Sequence, residues 1–211
     1  MISDSNPDHD SLLQICRAAQ IINAGGVVVF PAKCLYGLAA DALNPVAVER
    51  VFAIKKRPLN NPLLVLIDEV SWLESIVKKI PGDANLLMKA FWPGNLTIVF
   101  EARSNLPEAL TAGTGKVGVR IPGHPVARQL VRECGRPITG TSANISGHEG
   151  CMDSSMLEPD ILNSVDMILE GGRLKGGKGS TVLDVTVSPS RILREGEISE
   201  HDILEFIFKS Q

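Results

Sequence analysis

Apolar and polar positions follow two rhythms along the chain. In SLLQICRAAQIINAGG (11–26), Leu12, Leu13, Ile15, Ala19 and Ile22 recur at helical spacing, and Gly25 with Gly26 stops the run. VVVF (27–30) reads as a buried strand. Asn44 and Pro45 read as N-cap and first helical residue of a helix over VAVERVFAIKK. PLLVLI, LTIVFEA and VGVRI are further strands, and helical stretches near 70–79 and 83–91 end at WPG, where Trp92 packs a helix end on the sheet. HPVARQLVREC is a helix with Pro125 in its first turn. PITGTSANISG begins as a short strand and ends as a polar loop. DMILEGG, STVLDVT and RILREG are three late strands, and SEHDILEFIFK is a closing helix capped by Ser199.

Strands and helices alternate, then strands cluster. That order predicts α/β architecture: a single domain over 11–208 with a twisted, mixed (parallel and antiparallel) sheet flanked by helices. Residues 1–10 read as a disordered N-terminus, and GGRLKGGKGS (171–180) as a loop inside the domain.

The 211 residues suffice for one sizeable core, and 44% hydrophobic with 21% charged residues is ordinary globular composition. No apolar run reaches membrane-spanning length, and the acidic start, MISDSNPDHD, is unlike a signal peptide. Four cysteines without CxxC or metal-type spacing fit a reduced, cytoplasmic setting. A net charge of −3 argues against a surface coated for nucleic acid but leaves room for a local basic pocket.

Four stretches carry candidate chemistry. Lys55, Lys56 and Arg57 end a helix that Pro58 blocks. Cations there offset the helix dipole, but beside a buried strand they also suit a phosphate chain. GTSANISG offers backbone N–H groups and short donors in Ser142 and Asn144, as an ordinary turn also does. Arg120 ends an apolar strand and needs an anionic partner, either a structural carboxylate or a ligand. Ser180 and Thr181 enter a strand beside a glycine-rich loop, and Arg194 ends the next strand, as a ligand contact or a plain surface charge. No HExxH, G-x-S-x-G or G-x-x-x-x-G-K-[ST] occurs, so no zinc site or P-loop is expected and metal ligands are assigned to no residue. In PAKCLYG, Cys34 invites a nucleophile reading, yet no histidine is placed to activate it.

Taken in order, FPAKCLYGLAADA, IKKRPLNNPLLVLI, FWPGNLTIVF, VGVRIPGHPVA, TGTSANISG, GSTVLDVT and ILREG resemble the YrdC family, over about residues 11–206. The resemblance implies a concave basic face on a twisted mixed sheet. It implies an enzyme that joins L-threonine, bicarbonate and ATP, with Mg²⁺, into threonylcarbamoyl-adenylate and releases pyrophosphate. It implies that the product would pass to partner proteins that modify adenosine 37 of tRNA, with contact to tRNA itself and no membrane. By position, Lys55 and Arg57 would hold ATP phosphates, and Ser142 and Asn144 would contact the nucleotide and Mg²⁺; these four form the catalytic set. Arg194 would contact the nucleotide. Arg120 would grip the threonine carboxylate, with Ser180, Thr181 and Tyr36 also on the substrate. At 211 residues the chain resembles the family's short form.

The opening stretch departs from the family's P-T-[DE]-T-x-Y-G. Here it is Pro31, Ala32, Lys33, Cys34, Leu35, Tyr36 and Gly37, so two hydroxyls and an acid are missing and a cation stands in the acid's place. Two other readings therefore stand beside the first: a carbamoyl-adenylate former with another acceptor, and a noncatalytic RNA-binding module on the same face.

Overall fold

The computed structural model describes residues 9–209. In chain order the helices are α1 (His9–Asn23), α2 (Pro45–Lys55), α3 (Leu73–Ile76), α4 (Gly82–Phe91), α5 (Glu108–Thr111), α6 (Pro125–Cys134), α7 (Pro159–Leu162) and α8 (Glu200–Lys209). The strands are β1 (Val28–Pro31), β2 (Tyr36–Ala39), β3 (Leu64–Leu66), β4 (Leu96–Glu101), β5 (Lys116–Arg120), β6 (Ile138–Thr139), β7 (Thr141–Ser142), β8 (Met167–Ile168), β9 (Thr181–Asp184) and β10 (Arg191–Arg194).

The mixed pairing expected from the sequence is present, but it is divided between two sheets. One has the order β7-β2-β1-β8, the other β10-β9-β4-β5-β3-β6. Parallel pairs (β3 with β5, β4 with β9, β1 with β8) sit among antiparallel ones. The chain steps from the larger sheet to the smaller at Gly140, between β6 and β7. A Cβ there would lie 2.6 Å from Leu66 Cγ, so only glycine lets the chain cross so close to β3.

Two apolar layers hold the sheets. Ile15, Ala18, Ala19 and Ile22 of α1 pack with Ala127, Leu130 and Val131 of α6 and with Val28 and Phe30 of β1. A larger core joins the inward faces of β4 and β5 to α2 and α4. Leu12 and Leu13, expected on the buried face of α1, are exposed. The helix begins at His9, so His9 and Asp10 belong to it rather than to a disordered start; residues 1–8 lie outside the described residues.

Local signals account for the helix ends. Asn44 Oδ1 accepts from the main-chain N–H groups of Val46 and Ala47, at 3.0 and 3.3 Å. Ser199 Oγ accepts from Asp202 N at 3.1 Å. Trp92 Nε1 donates to Leu96 O at 2.7 Å and ties the end of α4 to β4. The helix expected near 70–79 is shorter, a 3₁₀ turn at Val70–Trp72 followed by α3. Among the described residues no helix is long and apolar enough to cross a membrane.

Candidate active site

A cleft of about 610 Å³ opens between the two sheets. Its floor is the outward face of β4, β5 and β9, where Thr97, Val99, Lys116, Gly118, Val182 and Asp184 alternate with core residues. The turn at 31–36, Arg57 and the 140–142 step form its walls.

The three consecutive cations after α2 go three ways. Lys55 still belongs to the buried stripe of the helix and is only 1% exposed. Its Nζ donates to the main-chain carbonyls of Ser142 and, at 2.8 Å, Asn144. Burial, with the charge of Arg57 second, lowers its pKa to about 8. Lys56 adopts a left-handed conformation, φ 48°, and turns out to pair with Asp160 at 2.6 Å. That turn swings Arg57 into the cleft, where its Nε and Nη2 hold the carbonyls of Asn61 and Pro62, each at 2.9 Å.

Arg120 and Arg194 reach the same cleft. Arg120 Nη1 donates to Asn95 Oδ1 at 3.3 Å, and its Nε is buried without a partner. Burial first, then the charge of Arg194, lowers the Arg120 guanidinium to about 10. Arg194 Nη2 donates to Ser180 O at 2.8 Å and to Ser180 Oγ at 3.3 Å. Burial also lowers Arg57, and Arg194 adds to that shift. Among the described residues no carboxylate forms an ion pair with any of these three arginines. Mutually repelling, partly desolvated cations of this kind require an anion to complete them.

The remaining expected residues divide. Ser142 and Ser180 line the cleft, and Ser180 Oγ lies 2.8 Å from Thr97 Oγ1. Tyr36 contributes to the wall while its hydroxyl is spent on Gly172 O (2.8 Å) and Gly171 N (3.0 Å). Lys55, expected on phosphate, stands behind the wall instead, because helical spacing turns it inward. Asn144, expected on nucleotide and cation, is buried off the cleft wall, with Nδ2 on Ile145 O (2.8 Å) and His148 O (2.9 Å) and Oδ1 without a partner. Thr181, expected at the amino-acid end, is fully buried on the core face of β9. Its hydroxyl closes the 196–198 turn through Gly196 N, Ile198 N and Ile198 O.

Sequence reading missed Asn95, Thr97, Lys116, Asp184 and Arg191, which also line the cleft. Strand alternation was the available signal for Thr97, Lys116 and Asp184. Cys34 lines the cleft as a protonated thiol: burial first, then the charge of Glu197, raises its pKa above 9. Among the described residues no histidine lines the cleft, and Lys33 and Arg120 oppose the rise without reversing it. The four cysteines are free thiols.

The family model Sua5_yciO_yrdC, described as telomere recombination, matches residues 20–196. The threonylcarbamoyl-AMP synthase of Pyrococcus abyssi is 39% identical over 190 residues, which are 90% of this chain and 56% of that protein. The crystal structure of P. abyssi Sua5 complexed with L-threonine superposes with a TM-score of 0.89 at 38% identity, over 93% of this chain and 58% of that one. The E. coli YciO structure gives 0.83 at 28% identity, over 94% of this chain and 95% of that one. The chain thus spans about half the length of the first two curated relatives it matches. With its two-sheet fold, arginine-lined cleft and matching sequence, the chain belongs to the Sua5/YciO/YrdC family.

Proposed function

We propose that the chain forms L-threonylcarbamoyl-adenylate from L-threonine, bicarbonate and ATP, releasing pyrophosphate. One observation carries this reading: Arg57, Arg120 and Arg194 face a single cleft of mononucleotide size, and among the described residues no carboxylate forms an ion pair with them. The sequence and fold likeness to P. abyssi Sua5 supports the choice of L-threonine. Two anions are needed to satisfy such a wall, a polyphosphate and an amino-acid carboxylate.

In the reaction the amine of threonine and bicarbonate give a carbamate with loss of water. A carbamate oxygen attacks the α-phosphorus, the bond to the β-phosphate oxygen breaks, and pyrophosphate leaves. Negative charge grows on phosphate oxygens, and Arg57 and Arg194 are the fixed cations that meet it. Arg120 holds the carboxylate, through its buried Nε and a terminal nitrogen, as a guanidinium fork does. Ser142 and Ser180 supply hydroxyl donors beside them. Lys55 acts at one remove, fixing the carbonyls of the 142–144 loop so that Ser142 keeps its place. Asp184, the one carboxylate lining the cleft among the described residues, is already held by Lys116 at 2.9 Å and by Thr186. Orientation of the reactants therefore carries the amine's attack.

Mg²⁺ enters as part of the ATP substrate. Among the described residues no three His, Cys, Asp or Glu side chains cluster to hold a resident ion. The donors among them do not fit such a site. The product is a reactive mixed anhydride, which calls for direct transfer to an acceptor enzyme acting on tRNA.

The test is pyrophosphate release from ATP and bicarbonate, with and without L-threonine. Threonine-dependent release is expected. Release driven by carbamoyl phosphate in place of threonine and bicarbonate would move the assignment to a different carbamoyl-adenylate. No release in either case, with salt-sensitive RNA retention, would replace catalysis with RNA binding.

A further inference from the structure

Lys33 and Cys34, two of the residues that depart from the family pattern, both touch Glu197. Lys33 Nζ lies 2.6 Å from Glu197 Oε1, and Cys34 Sγ lies 3.6 Å from Oε2. The same Oε2 accepts from Asn95 Nδ2. Asn95 is buried, and its Oδ1 faces Arg120 Nη1 at 3.3 Å. A continuous chain thus runs from Lys33 through Glu197 and Asn95 to Arg120.

The chain has a direction set by chemistry. An amide has one donating and one accepting end. With its donor end committed to Glu197, Asn95 can present only its acceptor to Arg120. Glu197 is not itself among the lining residues but sits against three that are, Lys33, Cys34 and Asn95. The ion pair to Lys33 is half exposed, at 45% and 41%, and contributes little to stability by itself. Its effect is local. Glu197 raises the pKa of Arg120 against burial and the Arg194 charge, and Lys33 offsets the acid that would otherwise repel an anion entering the cleft.

We propose that Glu197 is a positioning residue that sets the orientation of Arg120 through Asn95, with Lys33 as its counter-ion, and so determines affinity for the carboxylate-bearing substrate. The proposal rests on the reading that Arg120 binds the amino-acid carboxylate.

The full chain carries the test. Glu197→Ala should raise KM for L-threonine about tenfold, with KM for ATP and kcat within about twofold of wild type. Glu197→Gln, which keeps an acceptor for Asn95, should recover most of that loss. The double variant Lys33→Ala with Glu197→Ala should be no worse than Glu197→Ala alone, because Lys33 acts through the acid. Equal changes in both KM values, or none, would overturn the proposal. A second readout needs no turnover: the pH midpoint for alkylation of Cys34, followed by peptide mass spectrometry. It should fall in Glu197→Ala and rise in Lys33→Ala, as the signs of their charges require. If wild type releases no pyrophosphate with L-threonine, the proposed reaction fails by itself. Calorimetric binding of L-threonine to wild type and Glu197→Ala then decides the positioning role, and equal affinities overturn it.

Discussion

The Nζ of Lys55 donates to the carbonyl of Asn144 at 2.8 Å, joining the last turn of α2 to a loop 89 residues further along the chain. The same ammonium holds the carbonyl of Ser142, and the loop returns a bond from Ser146 N to Lys55 O at 2.8 Å. One buried cation therefore sets the position of a cleft hydroxyl it never touches. Lys55→Met should leave the buried carbonyl of Asn144 without its donor, while Ser142 O keeps the N–H of Asn144 at 3.1 Å, and lower stability by about 1–3 kcal/mol. Pyrophosphate release should fall about tenfold or more while Arg57 stays in place. Amide exchange should quicken over residues 141–146; protection equal to wild type would remove Lys55 from this role.

Arg57 carries a different expectation. Its side chain also braces the carbonyls of Asn61 and Pro62, on an exposed turn that has solvent as an alternative partner. Arg57→Ala should therefore keep the far-ultraviolet spectrum and cooperative melting of wild type. Turnover should drop about 10²- to 10³-fold, the usual cost of losing one fixed donor to a charge that grows in the transition state. Arg57→Lys should recover only a minor part, because the flat fork is lost. Near-normal turnover in Arg57→Ala would remove phosphate from its role.

Much of this site was legible from strand alternation carried through to every position. Leu96, Ile98 and Phe100 face the core, which leaves Thr97 and Val99 to the cleft. Val117 and Val119 do the same for Lys116, Gly118 and Arg120. The rule found Arg120 and, applied to β9, would have separated Ser180 from Thr181. Helical spacing likewise places Lys55 on one stripe with Val48, Val51 and Phe52, hence inward. Other features left no such trace. β2 and β7 have four and two residues, too short for a period, so the division into two sheets was invisible. Glu197 follows the last strand, and its pairing with residue 33 spans 164 positions, a contact only tertiary folding creates.

Ser180 and Thr181 allow a direct contrast between neighbours. Thr181→Val removes the hydroxyl that closes the 196–198 turn and leaves Gly196 N without that partner. The turn has no slack, since a Cβ at Gly196 would lie 2.2 Å from Gly179 O. A stability loss of about 1–3 kcal/mol is expected, with KM for threonine little changed at temperatures where the fold persists. Ser180→Ala should weaken turnover and also cost stability, because the buried Thr97 hydroxyl loses its partner at 2.8 Å. Thermal melts and steady-state kinetics on the same pair decide between them, and a Thr181→Val defect confined to KM would return that residue to the site.

The stability of the fold depends on pH through Lys55. Its ammonium is lowered from 10.5 to about 8 in the folded chain, chiefly by burial. Below about pH 8 both folded and unfolded chains hold this proton, and the fold bears the full desolvation penalty. Between about pH 8 and 10.5 the unfolded chain holds one proton more, so this group makes the fold more stable as pH rises. Lys55→Met lacks the titration but keeps every other lysine. The denaturant midpoint of wild type, measured against Lys55→Met in the same buffers, should therefore gain steadily from pH 8 to pH 10. A difference that stays flat across that interval would mean the ammonium is not desolvated, and Lys55 would have to be turned toward the solvent of the cleft.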